Sequence, residues 1–386
     1  MRLARMIRPT RARGLLARRV LGRSPVPQVG GLLIRCSSHM DANVGTAPCE
    51  SQERKPHARL RTRKTTIMEE SKGARKPKLT VGEQIDHLKS KGVTFDLCDE
   101  QTAARILSER DHYFRLATYR VLFPKRVGGE RDGQYAGLDF GHLVDLAEID
   151  QELRGFLLPL TLVVENAAKT KLVGKITENR EEDGYSIFAD YLEHLNHADR
   201  NRRKGEITRL GNDAYLGPLA ARYPIDEMPA WVFLELSSFG AFADFYLFCA
   251  ERWGDSSMRR EHYLLRCSNS LRNAAAHSSA IINGFASSAP ESPIRTPSEV
   301  ASALEAAGIN KRSRRAKMRN IRIQQIVVLG FSYSHFTNKQ GRKHTTSRLS
   351  LLKCRASRHS HWYEKNTVLT SSFEFIDRAL RGMLEP

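Results

Sequence analysis

Paired cysteines are missing from this 386-residue chain. Its six cysteines (Cys36, Cys49, Cys98, Cys249, Cys267 and Cys354) are far apart, and none forms a C-x-x-C pair. That spacing argues against a zinc ribbon and a disulfide framework, and points to a reducing compartment. Long apolar runs are missing too. The nearest, WVFLELSSFGAFADFYLFCA (231–250), is interrupted by Glu235 and Asp244, so no membrane span is expected. There is no internal repeat and no strand-rich stretch, which leaves an all-α chain with at most minor β structure. His335, His344, His359 and His361 lie near one another in sequence, but at steps that fit no standard metal-ligand spacing. No metal and no cofactor is expected.

Acids are absent from the opening MRLARMIRPTRARGLLARRVLGR. Residues 1–68 carry 15 Lys/Arg against Asp41, Glu50 and Glu53, and so supply +12 of the formal net charge of +19. The remaining +7 makes the body mildly basic, which suits a phosphate-bearing partner without requiring one. The Arg-rich opening has the composition of an organellar transit peptide. It is also what a start assigned too far upstream in a GC-rich gene would encode, with Met68 as the true start. Residues 1–67 are accordingly expected to be a mis-assigned or disordered extension that does not pack.

Structured sequence begins near residue 79. Thr80 and Glu83 form a capping box ahead of GEQIDHLKSKG, with Gly92 at the helix end. A short helix is expected over 99–111, followed by the aromatic and Arg-rich HYFRLATYRVLFPK (112–125). Over 139–176, Leu143, Leu146, Ala147, Leu153, Leu157, Val164, Ala168 and Leu172 share one helical stripe, with a kink or restart at Pro159. One helix is expected in FADYLEHLNHADRNRRKGEITRL, one in the apolar run after Pro229, and one from about Met258 to Phe285. Residues 286–297 read as a linker. Two helices joined by a basic loop (311–319) and a last amphipathic helix complete the expectation.

The helix over 258–285 holds LRNAAAHSSAIING (271–284). At 100° per residue, Leu264, Cys267, Leu271, Ala274, Ala275, Ser278, Ile282 and Phe285 form the core face. Asn273 and His277 stack on the opposite side, and Arg272 lies between the two faces. Ala276, Ala280 and Gly284 flank the histidine, a small-residue surface that admits the close approach of another helix. Metal-free RNA cleavage needs a base for the 2′-OH proton, an acid for the leaving 5′-oxygen and positive charge beside the phosphorane. One histidine cannot easily perform both transfers, so a two-fold dimer through this helix is the expected arrangement. On spacing alone, R-x4-H is also what an ordinary alanine-rich helix carries by chance.

The R-x4-H of LRNAAAH resembles the signature of HEPN-domain ribonucleases. More of the chain resembles the abortive-infection (Abi) family of bacterial phage-defence proteins: KPKLTVGEQIDHLKSKGV, HYFRLATYRVLF, EIDQELRGFLLPLTLVVENAAKTKL, DEMPAWVFLELSSFG and LRNAAAHSSAIIN, in that order, with KMRNIRIQQIVVL in the tail. The similarity spans about residues 76–380. It implies a cytoplasmic bacterial protein with a HEPN-like helical bundle (76–285), a small N-terminal helical subdomain and a C-terminal helical extension (298–386). It further implies a homodimeric, metal-independent endoribonuclease acting as a toxin on RNA, with an antitoxin protein or RNA as a further partner. Arg272 and His277 match the catalytic pair and Asn273 the adjacent polar residue. Relatives often carry His or Arg soon after that histidine. Ser278, Ser279 and Ala280 stand here, which leaves a second phosphate contact without a residue. A non-catalytic RNA-binding protein of the same fold is the alternative.

Other positions admit two readings each. Asp150 and Arg154 form an i,i+4 ion pair, or with Glu165 a supporting shell in which Glu165 orients Arg272 or His277. Arg115 and Arg120, among Tyr113, Phe114 and Tyr119, clamp RNA or pack an N-terminal subdomain onto the core. Lys311, Arg312, Arg314 and Arg315 form a solvated loop or a phosphate-contacting patch.

Overall fold

The computed structural model describes residues 77–385 except 287, 288, 290 and 293. The expectation for residues 1–67 lies outside the described residues. Among those described, fifteen α-helices and four short 3₁₀ turns carry the chain, with no strand and three isolated bridges. The helices are α1 (Val81–Ser90), α2 (Glu100–Glu109), α3 (Tyr113–Ala117), α4 (Phe140–Glu178), α5 (Ser186–His194), α6 (His197–Leu210), α7 (Gly217–Arg222), α8 (Ala230–Leu236), α9 (Phe239–Arg252), α10 (Ser256–Ala276), α11 (Ser298–Ala306), α12 (Lys311–Lys317), α13 (Ile321–Phe336), α14 (Lys339–Ser357) and α15 (Thr367–Leu384). The fold is all-α. Thr80 and Glu83 cap α1 reciprocally.

The 39-residue α4 is the spine. Its whole predicted apolar stripe, from Leu143 to Leu172, is buried. Pro159 neither breaks nor restarts it. Proline has no N–H, so the carbonyl four residues back, on Gly155, loses its helical donor. Arg348 of α14 supplies one instead, donating from Nη2 to Gly155 O at 2.7 Å. Against α4 lies α10, running antiparallel. Lys175 pairs with Asp255 (2.8 Å), Lys171 with Glu261 (2.6 Å), and Asp150 meets the chain at Ile281, just beyond α10. α13 packs on both, presenting Ile323, Ile326, Val327, Val328 and Leu329 to the core, and α15 closes over it. The close approach of α15 uses Gly330, where a Cβ would stand 2.3 Å from a Leu380 methyl.

The structure corrects several expected boundaries. The segment 188–210 is two helices, because the Asn196 side chain caps a new one through Asp199 N–H. The apolar run after Pro229 is likewise two, with Ser238 capping α9 through Ala241 N–H. The basic run at 311 is the helix α12, capped by Asn310, and not a loop. α14 was not expected at all. It is polar, and it buries only Thr345, Leu349 and Leu352.

Candidate functional site

α10 ends earlier than its periodicity suggests. The last helical residue is Ala276, and His277 is the C-cap. Ser278 then takes φ +54°, making it the one non-glycine residue in the left-handed region among those described. Ser279 N–H donates to Ala274 O (2.8 Å) and Ser278 N–H to Ala275 O (3.3 Å), the paired bonds of a Schellman ending. The predicted outer face is corrected here. Ser278 is exposed and not in the core, and Gly284 does not continue a ladder of small residues beside His277. Gly284 sits instead in a 3₁₀ turn over 282–285 (Ile282–Phe285), where a Cβ would lie 2.0 Å from the Arg322 side chain.

A buried carboxylate holds this turn. Asp150 has no exposed surface, and it accepts from Arg154 Nη1 (2.7 Å), Tyr119 Oη (2.8 Å), Ile281 N–H (3.1 Å) and Ile282 N–H (3.1 Å). Burial pushes its carboxyl above the usual range, and the four donors pull it back. Burial, and then the Asp150 charge, push the Tyr119 phenol upward. Asp150 and Arg154 therefore tie α4, the Tyr119 turn and the exit of α10 together. The sequence marked that pair, but not Tyr119 as its partner.

The three motif residues lie at the end of this frame. Arg272 is half-buried, Asn273 and His277 are exposed, and Arg272 Nη1 donates to Asn273 Oδ1 at 3.1 Å. None of the three has an acid partner among the described residues, and the His277 ring has no hydrogen-bond partner there. Glu165 does not join them. It pairs with Lys169 at 3.1 Å, and the antiparallel register sets it level with Cys267, more than a turn of α10 before Arg272. Its predicted role in orienting Arg272 or His277 is thus not supported by contact.

The aromatic and arginine motif divides in the same way. Tyr119 is buried, while Arg120 donates to Ala117 O (2.8 Å) and lies 5.8 Å from the centroids of Tyr113 and Tyr135. Arg115 pairs with Asp111 at 3.4 Å. These contacts are those of packing, and only Phe114, 80% exposed, is free to stack on anything else. Lys311, Arg312, Arg314 and Arg315 lie apart from α10's end, on α12. No cluster of His, Cys, Asp and Glu among the described residues has the arrangement of a metal site. No helix among them is long and apolar enough to cross a membrane.

The sequence model of the Abi-like protein family matches residues 107–283. Neither a curated protein nor a solved structure matches the chain. The matched span contains the Tyr119 turn, α4 with Asp150 and Arg154, and α10 with Ile281 and Ile282 beyond it, and it excludes α12. Over residues 107–283 the chain is similar to the Abi-like protein family, and that similarity supports a role in abortive infection.

Proposed function

We propose that the protein is a phage-defence endoribonuclease of the HEPN type, cleaving RNA between two copies of its α10 terminus. The observation that carries this reading is the contrast along α10. Its first half is tied to α4 by Glu261 and Asp255, whereas Arg272, Asn273 and His277 stand at its far end without an acid to neutralise them. An arginine fork and an exposed imidazole on a turn fixed by Asp150 suit a phosphodiester better than they suit packing. In the reaction, one His277 removes the 2′-OH proton as that oxygen attacks phosphorus. The P–O5′ bond breaks, and the protonated His277 of a second copy gives its proton to the leaving oxygen. Arg272 offsets charge on the phosphorane. The products are a 2′,3′-cyclic phosphate and a 5′-hydroxyl. Leu162 and Val163, exposed on the adjoining stretch of α4, add apolar surface for pairing two copies.

Sequencing of RNA ends after induction tests this. Cyclic-phosphate ends should accumulate with the wild-type chain and fall at least about a hundredfold with His277→Ala, whose melting temperature should be unchanged because the side chain is exposed. Equal cleavage by the two chains would overturn the assignment.

A further inference from the structure

Outside the α10 terminus, a strongly basic groove lies between α11, α12 and residues 291, 292 and 294–296. It encloses about 1150 Å³ and is lined by Arg295, Lys311, Arg312, Arg314, Arg315 and Arg319, against one lining acid, Glu291. Arg319 is paired with Glu291 (3.1 Å) and Arg314 with Glu305 (3.3 Å). Arg295, Lys311, Arg312 and Arg315 are exposed and have no acid partner among the described residues. The rest of the lining is aliphatic (Ile294, Ala301, Leu304, Ala316 and Met318) apart from Ser292 and Thr296, and no aromatic side chain lines it. Its platform is firm. Lys317 anchors α12 to α15 through Ser371 Oγ (2.7 Å) and Ser372 Oγ (3.0 Å), and Asn320 Nδ2 just beyond it donates to Gly284 O (2.7 Å). The groove is therefore built on elements fixed to the segment that leaves His277.

We infer that this groove binds the phosphate backbone of single-stranded RNA without regard to base sequence, as a docking track apart from Arg272 and His277. Its volume exceeds the ~300–1,000 Å³ of small-molecule pockets, and it is open, as a chain ligand requires. Five of its six cations are arginines, whose forked donors match phosphate oxygens and carboxylates alike, so the choice of RNA over an acidic protein comes from the ribonuclease reading. With no aromatic platform, bases cannot be gripped by stacking, so recognition rests on charge and is steep in salt. The inference rests on the ribonuclease reading only in taking RNA as the partner.

The test is fluorescence anisotropy of the full chain with a twelve-nucleotide oligouridylate carrying 2′-O-methyl riboses, which 2′-OH attack cannot cleave. Lys311→Ala/Arg312→Ala/Arg315→Ala changes exposed residues only. It should weaken binding about tenfold or more near 0.1 M salt, and lower the slope of log K against log salt by about two, at ~0.7 per lost contact. The His277→Ala chain should bind as the wild type does. Unchanged affinity and slope in the triple variant would overturn the groove, and so would tighter binding of a poly-aspartate peptide of equal charge. Because the probe is uncleavable, groove-dependent binding by a chain that cuts no RNA would sink the ribonuclease reading and leave the groove standing. Cleavage without groove dependence would do the reverse.

Discussion

At the scale of single residues, Ser278 bears the strain of stopping α10 beside His277. Its φ of +54° brings Cβ against the following carbonyl, a conformation about 1 kcal/mol or more above the right-handed one for a residue other than glycine. The Schellman bonds through Ser278 and Ser279 hold it there. Ser278→Gly relieves the strain and loosens the unfolded chain, so the net gain should be about 0.5 kcal/mol. A higher denaturant midpoint at unchanged slope would show it, and a lower midpoint would mean that the serine makes a compensating contact in solution. RNA cleavage should persist, because the bonds that place His277 remain. The serine pair after the histidine was a visible turn signal. It was overridden in the sequence by Ile282 and Phe285, which continue the apolar phase of α10 and are indeed buried, but from a 3₁₀ turn. Asp150 and Arg154 were legible as an i,i+4 pair. That Asp150 grips backbone N–H groups 131 and 132 residues away was not, because no local pattern encodes a long-range backbone contact.

At the scale of elements, α4 depends on how it begins. Asp139 caps it, accepting from Gly141 N–H (2.7 Å), Thr94 Oγ1 (2.7 Å) and Asp96 N–H (2.7 Å). The His142 ring closes the box by accepting Asp139 N–H at Nδ1 (2.9 Å). An accepting Nδ1 carries no proton, and protonation would break this bond. Burial pushes the His142 imidazole below its ordinary value, against the Asp139 and Asp145 charges, which pull it up. The unfolded chain takes up a proton near pH ~6.5, and the folded chain does so only at lower pH. His142 therefore contributes stability fully above that window, and the contribution falls as pH drops through it. His142→Gln keeps an acceptor at the same helix position without titrating. Its stability should match the wild type near pH ~8 and exceed it near pH ~5, as read by urea melts at the two values. A wild-type loss on acidification that persists undiminished in the variant would mean the burden lies elsewhere, for instance on His262, which burial also holds below its ordinary value. The core stripe of α4 was readable because 3.6-residue periodicity was unbroken over most of its length. The division at Ser238 was not, since apolar residues run on across the cap, while that at Asn196 and the whole of α14 were hidden by the polarity of α6 and α14.

At the scale of the whole molecule, the stretch shared with the Abi-like family is not where all of the core resides. α13 lies wholly beyond residue 283, yet Ile323, Ile326, Val327, Val328 and Leu329 are each 1% exposed or less, packed among α4, α10 and α15. At ~1.5–3 kcal/mol for each such side chain, these five alone represent on the order of 10 kcal/mol of burial, comparable with the entire ~5–15 kcal/mol by which a domain is stable. α14 and the segment after it are tied to α4 by polar contacts. Asp145, buried, accepts from Tyr363 Oη (2.7 Å) and pairs with Arg355 (2.8 Å), and His359, stacked on Trp362, lies 3.0 Å from it. Removing residues 298–386 would thus leave Asp145 without its partners and bare the apolar faces of α4 and α10 together. A chain ending at residue 297 should retain helical circular dichroism yet melt without cooperativity and bind a hydrophobic dye, whereas the full chain melts in one transition. A sharp melt of the shorter chain, with cleavage intact, would show that the family-matched part folds alone and that α13 is an accessory. The expected failure would instead make the groove-bearing α12 and the α10 terminus parts of one cooperative unit, so that RNA held at the first is held on the body that carries the second.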